Sequence, residues 1–342
     1  MAEAEQLHLS SPPLRLAIIA DDLTGALDAA APFADRGLRV RVATAPQGLE
    51  QALAGAGVLA VSTRSREIGS EAAARVVAGV LAALPPGTRL FKKIDSRLKG
   101  PIAAELAAFA AGPVLAVPAL PEFGRIVRDG AVQGWGVDRP IPVADCLGRP
   151  ALVPDVETPA QMQAALAGAG DALIVGARGA AVALAARMAS GAPGLPELSL
   201  PLVIAVGSTD PITLAQVQAL VGALPRLRHL PAPDGLAPTA APAPGVTLLQ
   251  ATPGSGAPPP QVAKTLAQSL IPLARGAGTL VLTGGATAEA ALDALGVTVL
   301  DLHGDLQPGL PLSSGGGWTI VTKSGGFGDA EALVRLARKA GA

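Results

Sequence analysis

At 342 residues the chain is long enough for about two domains, and half of it is apolar, ample for sizeable cores. Lys and Arg number 26 against 27 Asp and Glu, a formal net charge of -1 that gives no electrostatic ground for a nucleic-acid partner. Five Phe, two Trp and no Tyr are too few for a platform that stacks bases or sugar rings, so alanine, valine and leucine must do the packing.

In chain order, Leu14–Ala20 reads as a strand ending at Asp21-Asp22, and Thr24 is placed to cap a helix over roughly Gly25–Asp35. Arg39–Ala43 and Val58–Ser62 read as strands, the second followed by the polar Thr63-Arg64-Ser65-Arg66. Ser70–Leu84 reads as a helix and Arg89–Ile94 as a strand with Asp95-Ser96-Arg97 at its end. Pro101 suits the first turn of a helix to about Ala111, and Val114–Val117 is again a strand. Pro118–Pro159, rich in Gly and Pro, predicts a long excursion made of a small hairpin and a loop. Ala160–Ala167, Ala172–Gly176 and Ala180–Met188 resume as helix, strand and helix.

Ser190–Pro201 is a Gly/Pro/Ser break, read as a hinge and domain boundary that divides 14–195 from 200–342. Beyond it come a strand at Leu202–Val206 and a helix at Pro211–Leu224. The Pro-rich stretch Pro231–Pro260 holds one short strand, Val246–Gln250. Gln261–Arg275 reads as a helix, Thr279–Thr283 as a strand, Thr287–Leu295 as a helix and Val297–Leu300 as a strand. Trp318–Thr322 is a strand and Gly328–Lys339 a closing helix. The alternation predicts an α/β fold of two domains, each with a mainly parallel sheet flanked by helices. Polar clusters follow the carboxyl ends of strands, where open α/β sheets bind ligands.

The single cysteine, Cys146, excludes an intrachain disulfide and a Cys-based zinc site. It fits a reducing cytoplasm and is expected to be a buried, inert thiol. His8, His229 and His303 are widely separated, match no metal motif and are expected in loops or on the surface. The mean hydropathy of +0.44 is high. No uninterrupted apolar run of about 18 residues accompanies it, so no membrane span is expected, and buried small residues of parallel sheets account for the value. Met1–Pro13 has Glu3 and Glu5 but no Lys or Arg, unlike a signal or transit peptide, and reads as a disordered lead into the first strand.

Three glycine-bearing turns in the second unit each lie between a strand and a helix. They are Gly207-Ser208-Thr209-Asp210-Pro211, Gly284-Gly285-Ala286-Thr287 and Lys323-Ser324-Gly325-Gly326-Phe327-Gly328. Free N–H groups at a helix N-terminus attract phosphate, and glycine lets the backbone approach it. No Walker A pattern occurs, and Gly55-Ala56-Gly57 precedes a strand where a dinucleotide fingerprint would follow one. The first unit offers acids and bases. Asp21 and Asp22 can bind hydroxyls, accept a proton or hold Mg²⁺. Arg64 and Arg66 can pair with a substrate carboxylate. Lys92, Lys93, Asp95, Ser96, Arg97 and Lys99 form the densest charged cluster, and the alternation of a strand forces Lys92 or Lys93 inward.

Together these segments resemble the four-carbon acid sugar kinase family, which includes 3-oxo-tetronate, D-threonate and D-erythronate kinases. The resemblance rests on Ile19–Ala26, Lys92–Gly100, Pro118–Arg125 with Asp129-Gly130, and the three glycine turns, in the family's order. It implies a sugar-acid-binding N-terminal domain, an ATP-binding C-terminal domain, an active site in the cleft between the domains, and phosphoryl transfer to a terminal hydroxyl with Mg²⁺ bridging the phosphates. It implies that Ser208, Gly284, Gly285, Ala286, Thr287, Ser324 and Gly325 contact the nucleotide. The acid's carboxylate would meet Arg64 or the Lys92–Lys99 cluster, and Asp21 or Asp22 would take the hydroxyl proton. Arg97, Lys99, Pro101, Asp210 and Ala286 depart from the family's usual residues and leave the particular acid open. A sensor that retains the fold without catalysis is the alternative, and a homodimer is compatible with the sequence.

Overall fold

Leu16–Ala20 is buried at every residue, which is why it is a continuous apolar run rather than an alternating one: helices cover both faces of the sheet it belongs to. The computed structural model describes residues 13–342, so His8 and nearly all of the expected N-terminal lead lie outside it. The first half runs β1 (Leu16–Ala20), α1 (Leu23–Ala34), β2 (Val40–Ala43), α2 (Leu49–Leu53), β3 (Val58–Ser62), α3 (Ser70–Ala82), β4 (Leu90–Lys93), α4 (Ile102–Leu106) and β5 (Val114–Val117). An excursion follows with β6 (Arg125–Arg128), β7 (Ala131–Gly134), β8 (Ile141–Pro142) and α5 (Val143–Leu147). The half closes with α6 (Pro159–Ala167), β9 (Leu173–Gly176) and α7 (Arg178–Met188). After an irregular stretch come β10 (Leu202–Val206), α8 (Pro211–Ala223), β11 (Arg228–Pro233), β12 (Val246–Thr252), α9 (Pro259–Ala274), β13 (Thr279–Thr283) and α10 (Gly285–Ala294). Last are β14 (Val299–Asp305), β15 (Pro311–Gly315), β16 (Trp318–Lys323) and α11 (Ala332–Lys339).

The fold is α/β with a mainly parallel sheet, and the half-sheets are joined. One 13-stranded sheet runs β11-β12-β10-β13-β16-β15-β14-β2-β3-β1-β4-β9-β5. Its seam is the antiparallel pairing of β14 with β2, from Val299 opposite Ala43 to Leu302 opposite Val40. The seam covers two strand edges that would otherwise present unpaired N–H and C=O groups. A swing of one half against the other about Ser190–Pro201 would have to break the β2–β14 ladder.

Several local expectations are corrected. The helix after Pro101 is a short one, because Arg149 donates to the carbonyls of Leu106 at 3.3 Å and Ala110 at 3.1 Å and closes it off. β11 runs into the start of the Pro231–Pro260 stretch, where only one strand was expected; its Pro231 and Pro233 are tolerated because it pairs only with β12, at the sheet edge. β15, with two serines and a terminal glycine, escapes a hydrophobic pattern and is antiparallel to both neighbours. The expected hairpin is a three-stranded antiparallel sheet, β6-β7-β8. Cys146 is half-buried rather than buried, with its Sγ 3.7 Å from the Pro142 carbonyl oxygen. His229, on β11, is at the surface as expected, while His303 is half-buried on β14; each lies 2.9 Å from a polar partner, Gln250 Oε1 and Ser314 Oγ.

Candidate active site

β1 and β3 are parallel neighbours whose last residues, Ala20 and Ser62, are in register, so the loops that follow them meet. One loop carries Asp21 and Asp22. Asp22 caps α1, its Oδ1 accepting the Gly25 N–H at 2.8 Å; Thr24, expected as the cap, instead donates its hydroxyl to Asp22 Oδ2 at 2.8 Å. The other loop carries Arg66. Its Nε and Nη2 fork onto the two oxygens of Asp21, and its Nη1 reaches Asp22 Oδ2, all at 2.8 Å. Burial alone would raise the Asp21 carboxyl, but the hydrogen bonds and charge of Arg66, with Lys92 and Lys93 behind, hold it below the usual carboxylate range. The Asp21 side chain is 2% exposed and that of Asp22 is 19% exposed, so Asp22 is the carboxylate that solvent and a ligand reach.

β4 flanks β1 on its other side, with Lys92 opposite Ile19 and Lys93 opposite Ala20. Both lysines are buried, where the strand alternation required only one to be. Lys92 forms an ion pair with the equally buried Glu105 at 2.8 Å. Glu105 also accepts the Ser65 hydroxyl, and Ser65 meets Thr63 at 2.6 Å, so a polar network lies under the acid turn. Lys93 Nζ donates to the Ile94 carbonyl at 3.0 Å and lies beside Gly25, where a Cβ would come within 3.1 Å of it. In the loop after β4, Asp95 Oδ1 accepts the Arg97 N–H at 2.8 Å, while Arg97 and Lys99 are exposed. Ser96 Oγ accepts from Arg125 Nη1 at 2.6 Å. Arg125, at the start of β6, is held over the site by the carbonyl of Trp135 at 3.0 Å and by the Trp135 ring, 4.8 Å away. Burial, with the charge of Arg97, pushes the Arg125 guanidinium below its ordinary value.

Arg64 points elsewhere. Its Nη1 and Nη2 pair with Asp293 of α10 at 2.6 and 2.8 Å, and its Nε donates to the Thr44 carbonyl at 3.1 Å.

On the other side, β10, β13 and β16 are adjacent and parallel, with Val206 opposite Thr283 and Thr283 opposite Lys323. The three turns that follow them therefore stand side by side. Together Ser208, Asp210, Gly284, Gly285, Ala286, Thr287 and Gly325 line an open cleft of about 610 Å³. Gly284 has φ +103°, a conformation that side chains rarely adopt, and it starts α10 with that helix's amino terminus facing the cleft. A Cβ on Gly325 would come 2.5 Å from Ser208 Oγ. Ser324 lies outside the cleft, in a narrow seam with Thr24, Asp28 and Phe327.

The two sides face each other. The Leu23 N–H, at the start of α1, donates to Glu289 Oε1 on α10 at 3.1 Å. A Cβ on Gly285 would lie 3.4 Å from the Thr24 methyl. Phe123, from the excursion, meets Phe327, from the third glycine turn, edge to face with ring centroids 6.1 Å apart. Glu289 was not singled out from the sequence, where it looks like any solvated helix carboxylate, and Arg125 was marked only as the end of the Pro118–Arg125 resemblance, with no role given to it.

Two family models match the chain: a sugar-binding N-terminal domain over residues 16–162 and a nucleotide-binding C-terminal domain over residues 203–333. The chain is similar to a D-threonate kinase of Bordetella bronchiseptica, with 31% identity over 94% of this chain and 96% of that protein. It is also similar to a 3-oxo-tetronate kinase of Methylobacterium radiotolerans, with 29% identity over 93% of this chain and 97% of that one. Among solved structures, a Salmonella typhimurium protein matches 96% of this chain and 100% of its own at 19% identity with a TM-score of 0.75, a likeness of fold. The chain belongs to the four-carbon acid sugar kinase family, whose members are phosphotransferases.

Proposed function

We propose that the protein transfers the γ-phosphoryl group of ATP to the terminal hydroxyl of a four-carbon sugar acid, a tetronate or 3-oxo-tetronate. The observation that carries this reading is the opposition of the carboxylate turn of α1 and the glycine turns around α10, joined by the Leu23–Glu289 hydrogen bond. One side offers an acid, the other an anion cradle.

The polyphosphate lies on the N–H groups of the three glycine turns and the dipole of α10, with Ser208 and Thr287 supplying hydroxyls. Mg²⁺ would neutralise phosphate charge when present. Among the described residues no group of three or more His, Cys, Asp or Glu gathers to hold an ion. Asp22 orients the acceptor hydroxyl and takes its proton: it is the more exposed of the pair, and its Oδ1 spends one lone pair on the Gly25 N–H and keeps another. Asp21 anchors Arg66 and keeps that cation beside the reacting hydroxyl.

The carboxylate of the acid is met by Ser96, Arg97 and Arg125, with Lys93 and Lys99 at the margins. Arg64 is engaged by Asp293 and takes no part in this pocket. The contact of Phe123 with Phe327 joins the excursion to the third glycine turn.

Acid-dependent ADP release, measured over a panel of oxidised and reduced four-carbon acids, tests the reading. Release stimulated by one or more of them supports it. Tight binding of an acid or of ATP with no stimulated release would instead identify a sensor that keeps the fold.

A further inference from the structure

Lys323 is the last residue of β16 and is 1% exposed. Its Nζ donates to the carbonyls of Ser324 at 2.9 Å, Gly325 at 3.1 Å and Phe327 at 3.1 Å, which takes up its three N–H groups, and Thr213 Oγ1 lies 3.2 Å away. Thr213, on the first turn of α8, donates its hydroxyl to the same Gly325 carbonyl at 2.8 Å. Gln216, one turn on, donates to the carbonyls of Phe327 at 3.0 Å and Asp329 at 2.8 Å. The third glycine turn is thus drawn down by its carbonyls onto a buried ammonium and α8.

In a trans peptide the N–H points opposite to the carbonyl of the same plane. Turning the Ser324 and Gly325 carbonyls toward Lys323 therefore turns the Gly325 and Gly326 N–H groups away from it. Gly325 and Gly326 are the residues of this turn that line the cleft.

We infer that Lys323 is the positioning residue of the nucleotide site, which sets the third glycine turn with its N–H groups toward the phosphates and adds a positive charge shielded from water beneath them. This rests on the nucleotide reading of the cleft given above.

The charge is unusually sensitive to its surroundings. β13, β15 and α8 bring no titratable side chain to it, and among the described residues no carboxylate forms an ion pair with it. At the start of α11, Asp329 is paired with Arg335 at 2.8 Å and Glu331 is exposed. Asp210, the cap of α8, is the carboxylate whose charge acts on Lys323. Burial pushes the ammonium down to about 8, against that weaker attraction of Asp210. A polyphosphate bound above the loop favours the charged form, so binding draws a proton onto the protein at pH 8 to 9 and weakens as pH rises through that range.

The test is calorimetric titration of the purified protein with ATP at pH 7.5 and pH 9, in buffers of different ionisation enthalpy. The wild type is expected to bind at pH 7.5, to bind about fivefold more weakly at pH 9, and to take up protons there. Lys323→Met is expected to bind about tenfold more weakly at pH 7.5 and to lose the pH dependence. Lys323→Arg should recover most of the affinity with no pH dependence, because a guanidinium stays charged. Wild-type affinity and pH dependence in Lys323→Met would overturn the inference and leave the nucleotide site standing. If Lys323→Met does not fold, the wild type decides alone: no proton uptake on binding at pH 9 overturns it. Failure of the wild type to bind ATP at pH 7.5 overturns the nucleotide reading itself.

Discussion

Arg64 forks onto Asp293 with both terminal nitrogens, at 2.6 and 2.8 Å, and so ties the loop after β3 to α10 across the two halves. The Asp293 hydrogen bonds and charge, together with the charge of Glu289, raise the guanidinium above its ordinary value against the effect of burial. With its guanidinium engaged by Asp293 and the Thr44 carbonyl, Arg64 is proposed to fasten the cleft rather than to bind the acid's carboxylate. Arg64→Gln and Asp293→Asn are therefore expected to share one phenotype. The pair is partly exposed, so a double-mutant cycle should give a coupling of about 0.5–1 kcal/mol. Neither variant should change the KM for the acid differently from the other. A rise in acid KM in Arg64→Gln alone would return Arg64 to the acid pocket.

The proposed mechanism separates the two aspartates by role. Asp22→Asn is expected to lower kcat by about 10²–10⁴ while ATP affinity changes less than about twofold. Asp21→Asn leaves Arg66 with a broken, mostly buried ion pair, so it should cost about 3–5 kcal/mol of stability as well as activity. Thermal melting beside steady-state kinetics distinguishes the two. Full turnover in Asp22→Asn would remove the base assignment.

Space around Gly325 sets a third expectation. A side chain there runs into Ser208 Oγ. Gly325→Val should raise the KM for ATP by about tenfold or more and leave the KM for the acid within about twofold. Equal changes in both would place Gly325 outside the phosphate cradle.

A half-buried acid cluster holds the far side of the seam. Arg178 joins Asp28 at 3.1 Å to Asp305 at 2.6 Å, and the Asp305 N–H donates to Asp35 Oδ1 at 2.8 Å. Burial, with the charges of Asp35 and Asp28, raises the Asp305 carboxyl to about 6 despite Arg178. Its folded value lies above the unfolded one, so the folded protein binds more protons between about pH 4 and pH 6. Stability from this group is thus greatest below that window and is lost as pH rises through it. Asp305→Asn should flatten that part of the stability profile, read by denaturant unfolding at half-unit pH steps. An unchanged slope would show that Asp305 is not the group that titrates there.

Buried parallel strands were the most legible part of the chain. Val58–Ser62, Val114–Val117, Leu202–Val206 and Thr279–Thr283 have the same bounds in sequence and structure, because a strand covered on both faces is one apolar run closed by polar or glycine residues. β11 and β15 were not legible: one carries prolines at an edge and the other is rich in serine and glycine. The seam between β2 and β14 leaves no local mark, because a strand's partner is not written in its own residues. The site divides in the same way. The aspartate turn and the glycine turns announce themselves through composition at strand ends. The partners that give them roles, Arg66 on Asp21, Asp293 on Arg64, Glu289 on the α1 turn and Lys323 beneath its loop, come from pairings between segments that only the fold brings together.

The most direct measurement incubates the protein with ATP and each four-carbon acid in turn and quantifies phosphorylated acid by mass spectrometry beside ADP, for the wild type and Asp22→Asn. The result expected is acid phosphate formed in step with ADP, for one or a few of the acids, and lost in Asp22→Asn. ADP formed with no phosphorylated acid, or both ligands bound with neither product, would contradict phosphoryl transfer across this cleft.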